Sequence, residues 1–221
     1  MSSFILKIIA IISMSFDHVG YLIMGGSSWF NYIGRFAFPI FAFQISEGYL
    51  HTKDVYKYLF RLFIFAIISQ IPFMLFQYSM GINLSLNVFF TLLFGLLAIY
   101  IYDKLKYKFL GILCVIILGI VAELCSFDYG FYGIAIIFIF YLFRNNKLAM
   151  CLSFIIAVLL KNLYRIYMYG FHLSYIYSSL FVIGALFFIC LYNGKKGRNI
   201  KYLLYFFYPV HLFLIYLISL I

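Results

Sequence analysis

The feature that most constrains this chain is a succession of apolar stretches, most of them close to the ~20 residues that cross a bilayer as a helix, with short polar breaks between them. In lipid every backbone N–H and C=O needs an internal partner, so such stretches fold as helices. Of the 221 residues, 67% are hydrophobic and only 10% charged, too few polar side chains to coat a soluble globule. The two-residue alternation of a membrane barrel is missing. The expected fold is an all-α polytopic transmembrane bundle, one domain over residues 1–221, with the lipid bilayer as its surroundings.

Hydropathy predicts nine helices: Phe4 to Met24, Ile33 to Leu50, Tyr58 to Tyr78, Leu84 to Tyr102, Phe109 to Leu124, Gly130 to Phe143, Leu148 to Tyr169, Ser174 to Tyr192 and Tyr202 to Ile221. No break between them has room for a soluble domain. The opening Met1 to Lys7 has neither the basic start nor the cleavage site of a removable signal, so the first run is expected to remain as a helix. With the amino terminus in the cytoplasm, twelve Lys and Arg fall in cytoplasmic loops, from Lys53, Lys57 and Arg61 to Lys195, Lys196, Arg198 and Lys201. Lys7 joins them, and only Arg35, Lys161 and Arg165 lie on the other side. This spread of the +10 net charge reads as topology; no continuous basic stripe points to nucleic acid. The four cysteines are scattered, without metal-ligand spacing, so they read as apolar filler and no metal is expected.

An ionisable residue inside a membrane helix is costly and faces a cavity or a partner. Asp17 and His18 sit deep in the first helix. Their side chains point about 100° apart, which predicts separate roles; the purely structural alternative pairs Asp17 with Arg35 and His18 with a neighbouring helix. Lys7, eleven residues before His18 and about 16 Å away along the axis, shares the His18 face. On the second helix Gln44, Glu47 and His51 form one polar stripe, with Gly48 beside Glu47 permitting close approach. On the last helix Tyr208 and His211 share a face beside Pro209, where a kink is expected. Asn83, Asn87, Thr91 and Gly95 recur every fourth residue, a pattern of close helix packing. Lys161 and Arg165, one turn apart, repel unless an anion faces them, and Asp17, Glu123, Asp128 or a substrate can supply it.

No GxSxG, HExxH, Walker loop or GxGxxG occurs, so hydrolase, zinc-protease, nucleotide-hydrolysing and dinucleotide-binding readings lack support. The ordered segments LKIIAIISMSFDH (6–18), IGRFAFPIFAFQISEGY (33–49), LFRLFIFAIISQIPF (59–73), LNVFFTLLFGLLAI (86–99), FDYGFYGIAIIFIFYL (127–142) and FYPVHLFLIYLI (207–218) together resemble the TraX family of bacterial membrane proteins. That family is named for acetylating the amino terminus of conjugative pilin, and more distantly it resembles multi-pass membrane acyltransferases with a first-helix histidine. The resemblance implies a multi-pass protein of the bacterial cytoplasmic membrane, acetyl-CoA as donor and His18 as the catalytic residue. It leaves the acceptor open between a peptide amino terminus and a cell-envelope glycan.

In that chemistry His18 serves as general base and Asp17 or Glu47 orients it, while Tyr208 and His211 donate to the developing oxyanion. Direct attack on the thioester and a transient acetyl-histidine are both open routes. Lys7, Lys53, Lys57 and Arg61 are candidates for the donor's phosphates, with Arg35 grouped beside them. Asn87, Asp128, Lys161 and Arg165 are candidates for an acceptor site or for a structural polar network. Rival readings are a proton-coupled permease relaying protons through Asp17, His18 and Glu47, and a non-catalytic membrane partner.

Overall fold

The computed structural model describes residues 1–26, 29–198 and 200–220, with only the backbone described at 201. Helices α1 (Ser3–Leu22), α2 (Trp29–Gly34), α3 (Ala37–His51), α4 (Val55–Ser79) and α5 (Val88–Lys104) make up the first half. The second half comprises α6 (Lys108–Leu124), α7 (Gly130–Leu142), α8 (Lys147–Tyr169), α9 (Leu173–Cys190) and α10 (Lys201–Ile218). All nine predicted helices are present, and the six-residue α2 is additional.

Short polar residues set several starts. Ser2 caps α1, and Asp54 caps α4 by accepting from the Lys57 N–H at 2.9 Å. Asn146 caps α8 by accepting from the Ala149 N–H at 3.0 Å. The expected helix from Ile33 is divided between α2 and α3. Pro39 explains why α3 can begin at Ala37, since its missing N–H falls in the first turn, where no intrahelical acceptor is lost. The fifth helix starts at Val88 rather than Leu84 because Asn87 caps it, which leaves Asn83 in a loop and off the predicted every-fourth-residue face. In α10 the helix runs continuously through Pro209.

Among the described residues α1, α4, α8 and α9 are each long and apolar enough to cross a bilayer, and the chain is a multi-pass membrane protein. At 13 residues, or about 20 Å, α7 is too short to cross alone. It is the central post instead, packed against α3, α5, α6 and α8. Phe140, Ile136 and Ile137 of α7 are fully buried, and Gly95 on α5 lets Ile137 press against its backbone. The outer faces carry apolar side chains such as Ile71, Phe109, Ile156 and Leu163, as expected where lipid is the solvent.

Two features position the site. The α4 helix lies between α5 and α10, and α10 also meets α1. The amino-terminal segment is stitched to the α9–α10 connection by Ser3 N–H to Lys195 O (2.8 Å), Phe4 N–H to Lys196 O (3.1 Å) and Asn193 N–H to Met1 O (2.9 Å). These bonds join two chain regions at one end of the bundle.

Candidate functional site

At that end a cavity of about 450 Å³ opens between α1, α3, α4 and α10. Along α1 it follows Ser3, Lys7, Ile11 and Met14, one helix face extending inward for about 16 Å. Among the described residues three cations line it, Lys7, Arg61 and Lys196, one from each of three separate chain regions. Its inner wall is apolar and aromatic, ending at Phe89 and Tyr208. Two polar atoms on its lining residues, Gln44 Nε2 and Arg61 Nε, are buried with no hydrogen-bond partner among the described residues. The other end of the Gln44 amide is fixed, because Ser3 Oγ donates to Oε1 at 2.7 Å. An orphaned buried donor is costly, so these two point to a guest that brings acceptors.

One turn beyond Met14 on α1 stands His18. Its Nδ1 lies 2.7 Å from Nε2 of His211 on α10. The His211 Nδ1 lies 2.8 Å from the Phe207 carbonyl, which can only accept, so that nitrogen carries the proton. In a neutral His211 ring Nε2 is then the acceptor, and the shared proton belongs to His18 Nδ1. The chain of bonds therefore leaves His18 Nε2 as the unprotonated, basic nitrogen. Phe76 packs edge-on against the His18 ring at 5.0 Å, and Tyr208 is 6.3 Å away. Tyr208 itself lines the cavity, its ring 5.2 Å edge-on from that of Phe89.

Asp17, adjacent in sequence, turns to a different neighbourhood. Its carboxylate lies 3.5 Å from the Arg35 guanidinium, and the Asn31 amide donates to its backbone carbonyl at 3.0 Å and to its side chain at 3.5 Å. Gly34 packs directly on the Asp17 side chain, with no room for a Cβ. Arg35 also donates to the Tyr21 hydroxyl and lines a second, smaller cavity of about 70 Å³ with Lys161 and Arg165.

Against known proteins, a family profile described as TraX protein matches residues 2–219. The chain belongs to the TraX family. It is also 30% identical over 233 residues to the "Probable fimbrial assembly protein FimC, serogroup H1" of Dichelobacter nodosus, covering 97% of this chain and 94% of that protein. No solved structure matches significantly.

In this TraX protein the predicted residues divide into separate groups. Lys7, Arg61, Glu47, His51 and Tyr208 line the large cavity, and His18 and His211 lie just beyond Tyr208. Lys53 and Lys57 do not line it; Lys57 is exposed and pairs with Asp54 at 3.4 Å, because both flank the α4 start. Arg35 is drawn away by Asp17 and belongs with the second cavity rather than with the other proposed phosphate cations. Glu47 does not touch His18: it faces His51 at 3.9 Å on its own helix. Asp17 is likewise engaged with Arg35, so the group that orients His18 is His211.

Asn87 is fully buried and structural, donating to Ala66 O at 2.7 Å and Gln70 Oε1 at 2.8 Å while capping α5. The main chain of Asp128 joins two loops, donating to Leu86 O at 2.7 Å and accepting from the Thr91 hydroxyl. Lys161 and Arg165 make no ion pair among the described residues; Asp128 and Glu123 act on Lys161 only from a distance, and tyrosine rings face both cations. Lys196, Ser3 and the orphaned end of Gln44 went unrecognised in the sequence. For Ser3 a signal existed, since it begins the i, i+4 face that continues through Lys7. For Lys196 there was none, because only the stitching of the loop to the amino terminus brings it to the cavity.

Proposed function

We propose that this TraX protein is a membrane-embedded acetyltransferase that moves an acetyl group from acetyl-CoA to an amine or hydroxyl acceptor. The observation that carries this reading is the cavity itself. Cations line it together with two orphaned donors, and its aromatic inner end adjoins a histidine pair whose bonding leaves one basic nitrogen. Lys7, Arg61 and Lys196 suit the donor's phosphates. Gln44 Nε2 offers a donor for an amide carbonyl of the pantetheine arm, and the apolar wall suits its methylenes.

His18 Nε2 takes the proton of the acceptor as its nitrogen or oxygen attacks the thioester carbonyl. Tyr208 donates to the oxyanion of the tetrahedral intermediate. Collapse of that intermediate breaks the carbon–sulfur bond, and the proton held on His18 returns to the departing thiolate. The products are the acetylated acceptor and free CoA, and His18 ends in its starting state. His211 holds the proton on His18 Nδ1 throughout and is a positioning residue.

The basic residues at the cavity end favour a cytoplasmic position for it by the positive-inside tendency, and in this reading the donor enters from the cytoplasmic side of the bacterial inner membrane. Among acceptors, the fimbrial assembly relative favours the amino terminus of a fimbrial subunit over an envelope glycan. The test uses purified protein in lipid nanodiscs with acetyl-CoA and acceptor peptides, following CoA release and acetylated product. His18→Ala is expected to slow transfer by about 10²- to 10⁴-fold while CoA still binds. Turnover within threefold of the wild type would overturn the assignment.

A further inference from the structure

The second cavity is the part of the molecule with the strongest unmet charge. Arg35, Lys161 and Arg165 line it with Asn162, Ser178 and Ser179, and no carboxylate is among its lining residues. Asp17 offsets Arg35. Lys161 and Arg165 stand one turn apart on α8 and form no ion pair among the described residues. Like charges at that spacing repel, the more so where little water penetrates.

The nearby acids are occupied or out of reach. Glu123 accepts from the Phe131 N–H at 2.9 Å at the start of α7. It and Asp128 act on Lys161 only by longer-range attraction. What holds the two cations is aromatic: Lys161 lies 3.9 Å from the Tyr132 ring centre and Arg165 lies 4.1 Å from that of Tyr175. Ring faces attract charge but do not replace oxygen acceptors for an ammonium with three N–H donors and a guanidinium with five. The side chains of Asn162, Ser178 and Ser179 also make no hydrogen bond among the described residues, so neutral donors are spare beside the charged ones.

We propose that this chamber binds a phosphate group presented at the end of the bundle opposite the large cavity. Two positive charges remain after Asp17 offsets Arg35. They match the roughly −1.5 to −2 charge of a phosphate monoester better than a single carboxylate. Guanidinium and hydroxyl groups suit its oxygens, and a space of about 70 Å³ admits one such group and excludes a nucleotide. Through Arg35 and Asp17 the chamber adjoins the residue next to His18. Its use as the anchor of a phosphate-bearing acceptor rests on the acetyl-transfer reading, whereas phosphate binding does not.

The experiment is therefore run without acetyl-CoA. Protein in phosphatidylcholine nanodiscs is titrated with inorganic phosphate against chloride at equal ionic strength, following thermal unfolding. A parallel arm counts retained phosphatidic acid, the lipid whose headgroup is a phosphate monoester, by native mass spectrometry. Saturable stabilisation by phosphate identifies a soluble phosphate source, and selective retention of phosphatidic acid identifies a lipid headgroup. Either effect must weaken at least tenfold in Lys161→Gln/Arg165→Gln. If that variant does not fold, Ser178→Ala/Ser179→Ala is expected to weaken binding about threefold. Phosphate or lipid responses equal in wild type and variant would place binding elsewhere, at Lys7 or Arg61 for example, and overturn the proposal. So would no response beyond chloride in either arm.

Discussion

Replacing His211 by Phe isolates the bond that fixes the His18 tautomer. Phe keeps an aromatic ring in the space stacked 4.8 Å from Phe207 but removes the Nε2 acceptor 2.7 Å from His18 Nδ1. A neutral hydrogen bond contributes about 0.5–1.5 kcal/mol net, and 1.4 kcal/mol is a factor of ten. Loss of tautomer control therefore slows kcat for acetyl transfer by about 2- to 12-fold. The KM for acetyl-CoA stays within about twofold, since no group lining the donor cavity changes. His18→Ala, which removes the base itself, costs far more. His211→Gln, which restores an acceptor oxygen, recovers part of the rate. The assay is steady-state CoA release in nanodiscs at varied donor concentration. A His211→Phe loss as large as that of His18→Ala would make His211 the reacting group, and no loss would refute the tautomer argument.

Lys7→Ala, Arg61→Ala and Lys196→Ala each raise the KM for acetyl-CoA with little change in kcat, and the effect shrinks as salt screens the contact; titration at two ionic strengths checks this. Asn87→Ala breaks three side-chain hydrogen bonds, one of them the α5 helix cap, which costs about 2–4 kcal/mol and lowers the melting temperature of the detergent-solubilised protein. The Lys57 N–H, donating to Asp54 at 2.9 Å, holds that carboxyl below its usual range. A depressed acid stabilises above the ordinary pKa of about 3.9 and loses this effect as pH falls through the folded value. Asp54→Ala therefore melts below the wild type at pH 7, and the gap closes as the pH is lowered below the ordinary carboxylate range.

The nine predicted helices were legible because apolar runs separated by short polar breaks mark them. Their starts were less so, because a cap is decided by one side chain. Asn87 and Pro39 carried the information, yet apolar residues upstream of each extended the hydropathic signal across the boundary. Within the site, the Lys7–His18 face was readable from helical periodicity, since both residues lie on one unbroken helix. The His18–His211 bond joins residues 193 apart in sequence, and nothing in a linear pattern ranks it above Asp17 or Glu47 as the partner of His18. The pairing of Asp17 with Arg35 was foreseen as a structural alternative, and it holds beside the histidine pair.

That coexistence explains how one helix serves two chambers. Adjacent side chains on α1 diverge by about 100°, so Asp17 meets Arg35 and Asn31 while His18 meets His211 and Phe76. The bare Gly34 backbone lets the Arg35 segment settle against Asp17, and that anchors α1 in rotation. Rotation of α1 would break the Asp17–Arg35 pair and the His18–His211 bond together, since a rigid helix cannot turn one side chain without the other. The ion pair at the smaller cavity thus fixes the aim of the imidazole beyond the larger one, although Asp17 and His18 share no bond.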